Sequence, residues 1–271
     1  AASGRILAMA IVRDKYDREE AARLLSYMMA VSGIMPILGP AIGGILVTYS
    51  SWPAVFVYMA TFALLILVIS GCFLRETLPE KDMNALKPAY LAINFKNILR
   101  DPKFLAYTAC TSLSGAGLMA FLATVPNILI NTLEYGTDGF AILFALVMTC
   151  NMLAAFLGGK LVMTWGIDRL LGTAMVFAGL SSLIFFSLAA AGIMTAAAII
   201  IPFTLFKMSD AMIGPQATAG ALSPFPRMAG SASSLTGSIR QMTGAGAAIL
   251  VGLFDDGTSL PMGVGILLAG V

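Results

Sequence analysis

The 271-residue chain contains no histidine. That removes the side chain best suited to proton transfer near neutral pH, and with it the commonest metal ligand. Charge is scarce as well: Asp, Glu, Lys and Arg make up 11% of the residues, against about 25% in an ordinary soluble domain. Only three cysteines are present, Cys72, Cys110 and Cys150, and all lie in apolar runs. An odd, scattered set predicts small buried packing residues rather than a disulfide framework. No Cys or Cys/His pairing offers a metal site, and there is no Gly-x-Ser-x-Gly elbow. Gly158-Gly159-Lys160 ends like a phosphate-binding loop, but Ala154 stands where the first glycine belongs and Leu161 follows the lysine. An enzyme, an ATP-driven pump, a cofactor and a nucleic-acid partner are therefore not expected. A cleavable signal peptide is not expected either, because the chain starts directly with a small-residue helical stretch.

What the chain has in excess is apolar surface. Hydrophobic residues make up 59%, and the mean hydropathy is +0.90. Soluble chains run near 45–50% apolar. The composition predicts an integral membrane protein, all-α, built as a polytopic transmembrane bundle. Spans of about 20 residues fit at 24–48, 52–74, 104–131, 138–161, 167–191, 194–222 and 228–254. Shorter apolar runs lie at 1–13 and 259–271, the two ends of a bundle truncated on both sides. Residues 14–23 read as a charged loop, and 75–103 as a long polar segment. Within that segment Leu91, Phe95, Ile98 and Leu99 recur at helical spacing, which predicts a helix lying on the membrane surface.

The formal charge of +2 says little, whereas the placement of the positive residues says much more. Lys and Arg occupy 14–23, 75–103, 159–169 and 223–227, and are absent from the alternate turns 48–53, 130–138, 191–195 and 254–259. Such alternation follows the positive-inside rule. It predicts cytoplasmic positions for 14–23 and 75–103, in a multi-pass protein whose first partner is the lipid bilayer.

One stretch organises the rest: Pro36-Ile37-Leu38-Gly39-Pro40-Ala41-Ile42-Gly43-Gly44. Two prolines at this spacing break a soluble helix, but a membrane helix persists where its neighbours re-satisfy the backbone. Gly39, Gly43 and Gly44 offer a face on which another helix can approach closely. One reading is a kinked packing seam. The other is a resemblance: the stretch is similar to the fifth-helix antiporter motif of drug exporters in the major facilitator superfamily, nearest to the Bcr/CflA type. Met35 stands where the broader motif often has glycine. The run from Gly4-Arg5 to Arg13-Asp14 resembles the end of that family's fourth helix, and Ala221 to Leu235, with Gly237 and Gln241, its tenth-to-eleventh helix junction. Gly158-Gly159-Lys160 to Arg169 occupies the place of the repeated cytoplasmic loop, with Met163 and Thr164 where an Asp-Arg pair is expected.

The resemblance implies helices four to twelve of a twelve-helix fold. Residues 1–74 would belong to the N-terminal bundle, 75–103 to the cytoplasmic linker and 104–271 to the C-terminal bundle. It further implies a monomeric proton-coupled exporter of lipophilic drugs in the bacterial inner membrane, working by alternating access. Its partners would be protons and a small lipophilic drug, with Pro36, Gly39, Pro40, Gly43 and Gly44 forming the seam between bundles. An importer of a small polar solute is one alternative, and a membrane-embedded enzyme or accessory subunit is another.

Charge inside the spans marks the candidate site. Arg5, Lys207, Arg240 and Asp210 lie within apolar runs, where each costs at least about 2.5–3.5 kcal/mol at a helix centre. Lys207 and Asp210, three residues apart, share a helix face, and Arg240 with Gln241 sits at similar depth on the next span. Two readings stand: a self-neutralising ion cluster, or a polar centre in which Asp210 exchanges protons or competes with substrate for Arg240. Asn151, mid-span, reads either as interhelical glue or as a ligand contact. The methionines of the spans (Met119, Met148, Met152, Met208, Met212 and Met242) read mainly as packing and lipid-facing bulk, with a minority forming an adaptable lining.

Overall fold

The computed structural model describes residues 8–9, 11–12, 15–32, 38–39, 42–43, 46, 49–73, 88–255 and 257–270. Among them there is no β-strand; the architecture is an all-α bundle. The main helices, in chain order, are α1 (Arg18–Ser32), α2 (Trp52–Phe73), α3 (Pro88–Ile98), α4 (Pro102–Asn127), α5 (Gly136–Trp165), α6 (Ile167–Ala190), α7 (Ala196–Leu222), α8 (Ala229–Leu253) and α9 (Leu260–Gly270). Five stretches are long and apolar enough to cross a membrane: Trp52–Cys72, Pro102–Thr132, Asp138–Trp165, Ile167–Ala190 and Ala196–Leu222. They coincide with five of the seven expected spans. Helix α8 has the length, with 25 residues, but Ser231, Ser233, Ser234, Thr236, Arg240, Gln241 and Thr243 make it more polar than these five. Its partner is α4, whose Thr108 and Thr111 meet that polar face. The expected span 24–48 lies partly outside the described residues; Leu38, Gly39, Ile42, Gly43 and Leu46 within it are helical.

Two boundaries differ from expectation. The charged stretch 14–23 is not all loop, because α1 already begins at Arg18. Charge keeps a segment out of hydrocarbon without forbidding helix, and Glu19 and Glu20 in the first turn suit the positive end of the helix dipole. The helix near 91–99 exists as α3, but it packs on the end of α8 as well as facing outward. Ile98 is fully buried with Phe104, Leu222 and Ala229, while Leu99 is exposed.

Local chemistry sets the helix ends. Asp101 caps α4 by accepting a hydrogen bond from the Phe104 amide at 2.8 Å, with Pro102 in the first turn. Pro126 cannot donate within the helix, and α4 loosens beyond it into a π-helical turn, Ile128–Thr132. Gly166, at φ +75°, ends α5 and starts α6 in a single residue. Along the spans, hydroxyls such as Ser26, Thr149, Thr218 and Thr243 donate to the carbonyl four residues earlier, which satisfies them without water.

Helix α7 is the centre of the bundle. It packs against α1, α4, α5 and α6, while α9 closes against α4 and α6. Phe121 of α4 stacks on Phe203 of α7, with ring centroids 3.5 Å apart and both side chains fully buried. The cysteines depart from the expectation of buried packing: Cys72 is exposed, and Cys110 and Cys150 are half-buried. A bilayer is as apolar as a protein interior, so a small apolar thiol needs no protein cover there.

Candidate functional site

The polar centre is assembled by four helices. On α7, Lys207 and Asp210 stand one turn apart and pair directly, Nζ to Oδ2 at 2.5 Å. Both are 5% exposed. The second carboxylate oxygen, Oδ1, accepts a hydrogen bond from Ser114 Oγ of α4 at 2.8 Å. Arg240 enters from α8. Its Nη2 stands 3.8 Å from Asp210 Oδ1, an ion pair without a hydrogen bond, and its Nη1 donates to Thr111 Oγ1 at 2.7 Å. Asn151 of α5 donates from Nδ2 to the backbone carbonyl of Lys207 at 2.8 Å, tying α5 to α7 at this level.

A guanidinium fits here because Gly115 leaves room, and Gly214 adds only an ordinary contact. A Cβ on Gly115 of α4 would lie 2.8 Å from Arg240 Nε, and one on Gly214 of α7 would lie 3.4 Å from Nη1. Real Cβ atoms essentially never stand within 3.0 Å of such a neighbour. Glycine at 115 is therefore a condition for this arginine position.

These groups line a cavity of about 350 Å³. Lys207, Asp210, Arg240 and Asn151 supply its polar wall; Met9, Leu25, Met28 and Met29 on one side and Leu118 and Met148 on the other supply the apolar one. Methionine gives such a wall a soft, adaptable surface. The cavity lies between α1 with the nearby Met9 and the α4–α8 group. Next to it, Ala22 and Leu25 of α1 pack against Val162 and Ala219, with Gly159 facing Ser26 and Tyr27.

The expected site residues divide accordingly. Lys207, Asp210, Arg240 and Asn151 come together at one cavity. Gln241 is exposed and does not line it. Arg5, Pro36, Pro40 and Gly44 lie outside the described residues. Gly39 is exposed and Gly43 half-buried, and a Cβ at either meets no described atom within 4 Å. Of the methionines singled out from the sequence, Met148 lines the cavity, Met242 faces outward, and Met152, Met208 and Met212 pack together with Ala30, Ala154, Ala155 and Ala211. Sequence reasoning missed Thr111, Ser114, Gly115 and Gly214. Their only signal was small and hydroxyl residues on otherwise apolar helices, which is common in membrane bundles.

An all-α membrane bundle with a charged cavity between helices fits a transporter or channel, but fold alone does not fix function. The comparison with known proteins is more specific. The profile of the Major Facilitator Superfamily matches residues 1–248, and the chain belongs to that family of membrane transporters. It is 28% identical to a bicyclomycin resistance protein homolog of Haemophilus influenzae, over 95% of the chain and 64% of the relative. It is 29% identical to the chloramphenicol resistance protein CraA of Acinetobacter baumannii over 63% of the chain and 40% of that protein. It is 28% identical to the multidrug resistance protein MdtL of Escherichia coli over 56% of the chain and 38% of that protein. The chain thus spans at most about two thirds of the length of these relatives.

Proposed function

We propose that this chain is the larger part of a proton-coupled exporter of lipophilic drugs or antibiotics, working by alternating access in the bacterial inner membrane. The observation that carries the reading is the cavity itself. A buried acid, Asp210, sits between two cations beside a wall of methionines. A carboxylate in that setting changes its protonation when its cationic partners or its access to water change, and a methionine wall accepts varied apolar shapes. The resistance proteins among the relatives support the drug class.

In this reading residues 1–74 belong to one bundle and 104–271 to the other, joined by a cytoplasmic linker at 75–103. The packing of Ala22 and Leu25 against Val162 and Ala219 is the cytoplasmic closure beneath the cavity, and residues 14–23 lie on that same side. Gly39, Pro40, Gly43 and Gly44 form a seam between bundles in the complete, monomeric transporter.

The test uses the full-length protein in an efflux-deficient strain challenged with chemically distinct antibiotics. Expression is expected to raise resistance at least about fourfold to one or more lipophilic compounds, and collapse of the proton gradient is expected to abolish the protection. Asp210→Asn, with membrane insertion checked by immunoblot, is expected to remove it too. Unchanged efflux and pH dependence in Asp210→Asn makes Asp210 structural; no protection against any compound defeats the exporter reading.

A further inference from the structure

The two signs of charge at this site are not equally available to a ligand. Both oxygens of Asp210 are taken, Oδ2 by Lys207 and Oδ1 by Ser114, and the residue is 5% exposed. Lys207 is equally buried and held against the same carboxylate. Arg240 differs on both counts. Its side chain is 20% exposed, and a guanidinium carries five N–H donors. Among the described residues only Nη1 makes a hydrogen bond, to Thr111; Nη2 stands 3.8 Å from the carboxylate, outside hydrogen-bond range. Among the described residues the charged groups that line the cavity are two cations and one anion, so a unit of positive charge is left over among them, and it resides on the group with unused donors. In a low-dielectric cavity that excess acts strongly on a charged ligand.

From this asymmetry we infer that the site selects lipophiles presenting an anionic or electron-rich acceptor to Arg240, and disfavours lipophilic cations. The inference rests on the exporter reading for its biological meaning but is tested by binding alone. A lipophile enters with its apolar body against Met28, Met29 and Met148 and its acceptor end toward Nη2 and Nε. A cation in the same pose meets unpaired positive charge, and Asp210, the only anion among the described lining residues, is already engaged by two donors. Gly115 makes the preference possible by leaving the guanidinium in the cavity wall. Arg240 is thus a specificity-determining residue, and Asp210 moderates it from behind.

The experiment measures equilibrium binding of tetraphenylborate and tetraphenylphosphonium, two ions of nearly the same shape and opposite charge, to the purified full-length protein in neutral detergent. Binding to protein-free micelles is subtracted, and no proton gradient is present. Tetraphenylborate is expected to bind at least about tenfold more tightly. Arg240→Gln is expected to bring the ratio to within about threefold of unity, and Arg240→Lys to keep it above about fivefold. Asp210→Asn is expected to move it the other way, further toward the borate. Equal affinities, a preference for the phosphonium, a ratio unmoved by Arg240→Gln, or failure of both ions to bind would each overturn the inference. A purely structural role for Arg240 weakens both ions alike. If Arg240→Gln aggregates on size-exclusion chromatography, Asp210→Asn decides: a ratio that does not move further toward the borate overturns the inference. The exporter reading fails separately, in the resistance assay.

Discussion

Helices α2 and α7 invert the rule by which soluble proteins are read. Of the five spans, α2 is the most apolar, and every residue from Phe56 to Cys72 is exposed among the described residues. Helix α7 is the least apolar of the five and the most buried; it carries Lys207 and Asp210 and packs against five other helices. In water the apolar helix would go inside. In a bilayer the surroundings are as apolar as leucine, so apolarity gives no reason to leave them. Polar groups have that reason, because only other helices offer them partners. The lesson is that apolar length alone does not draw a helix inward here: α7 carries its polar groups inside together with Phe203 and Phe206 of the apolar core, while the more apolar α2 stays exposed.

That contrast can be broken or sharpened by substitution, and the largest effect belongs to α7. Asp210→Ala leaves Lys207 buried without its counter-ion, and breaking a buried pair costs about 3–5 kcal/mol. Thermal unfolding in detergent is expected to show a drop of that size; a loss below about 1 kcal/mol would mean that water, not Asp210, neutralises Lys207. A smaller loss is expected at the α4–α8 contact. Gly115→Ala places a Cβ 2.8 Å from Arg240 Nε, and overpacking of this kind costs about 1–3 kcal/mol. Binding of tetraphenylborate, read beside stability, is expected to fall as the guanidinium is displaced. The smallest effect belongs to α2. Leu65, half exposed at 54%, exchanges one apolar surface for another in Leu65→Ala, and a change within about 0.5 kcal/mol is expected. A loss comparable with that of Gly115→Ala would show that α2 has a protein partner along this face and would dissolve the contrast.

The same logic explains what could be read from the sequence. The spans of α2, α4, α5, α6 and α7 were legible because a bilayer demands continuous apolar length, and the pairing of Lys207 with Asp210 was legible because three residues on one helix fix one face. Arg240 could be placed in depth but not in direction, since helix periodicity does not say which neighbour a face meets. Ser114, Thr111 and Gly115 were illegible for that reason: they matter only through the register of α4 against α7 and α8, which no single helix encodes. The start of α1 was misplaced because charge was taken to mean loop, when it means only water. Gln241 was singled out for its neighbour, yet one residue along a helix is about 100° around it, enough to turn it out of the site.

One consequence follows from the way Arg240 is seated. Its guanidinium touches three helices at once: the bare backbone side of Gly115 and the hydroxyl of Thr111 on α4, Gly214 on α7, and its own anchor on α8. A side chain already fixed by folding adds little entropic cost when a ligand arrives, where ordering a free one costs about 0.5–1.5 kcal/mol. Capture can then be quick and still weak enough to reverse. Because there is no room for even a Cβ between Gly115 and the guanidinium, a slide of α4 along α8 would pull the donors out of register. Helix motions of that kind belong to the microsecond-to-millisecond range. The grip on a passenger would therefore be timed by the sliding of backbones, and letting go would require no competing ligand.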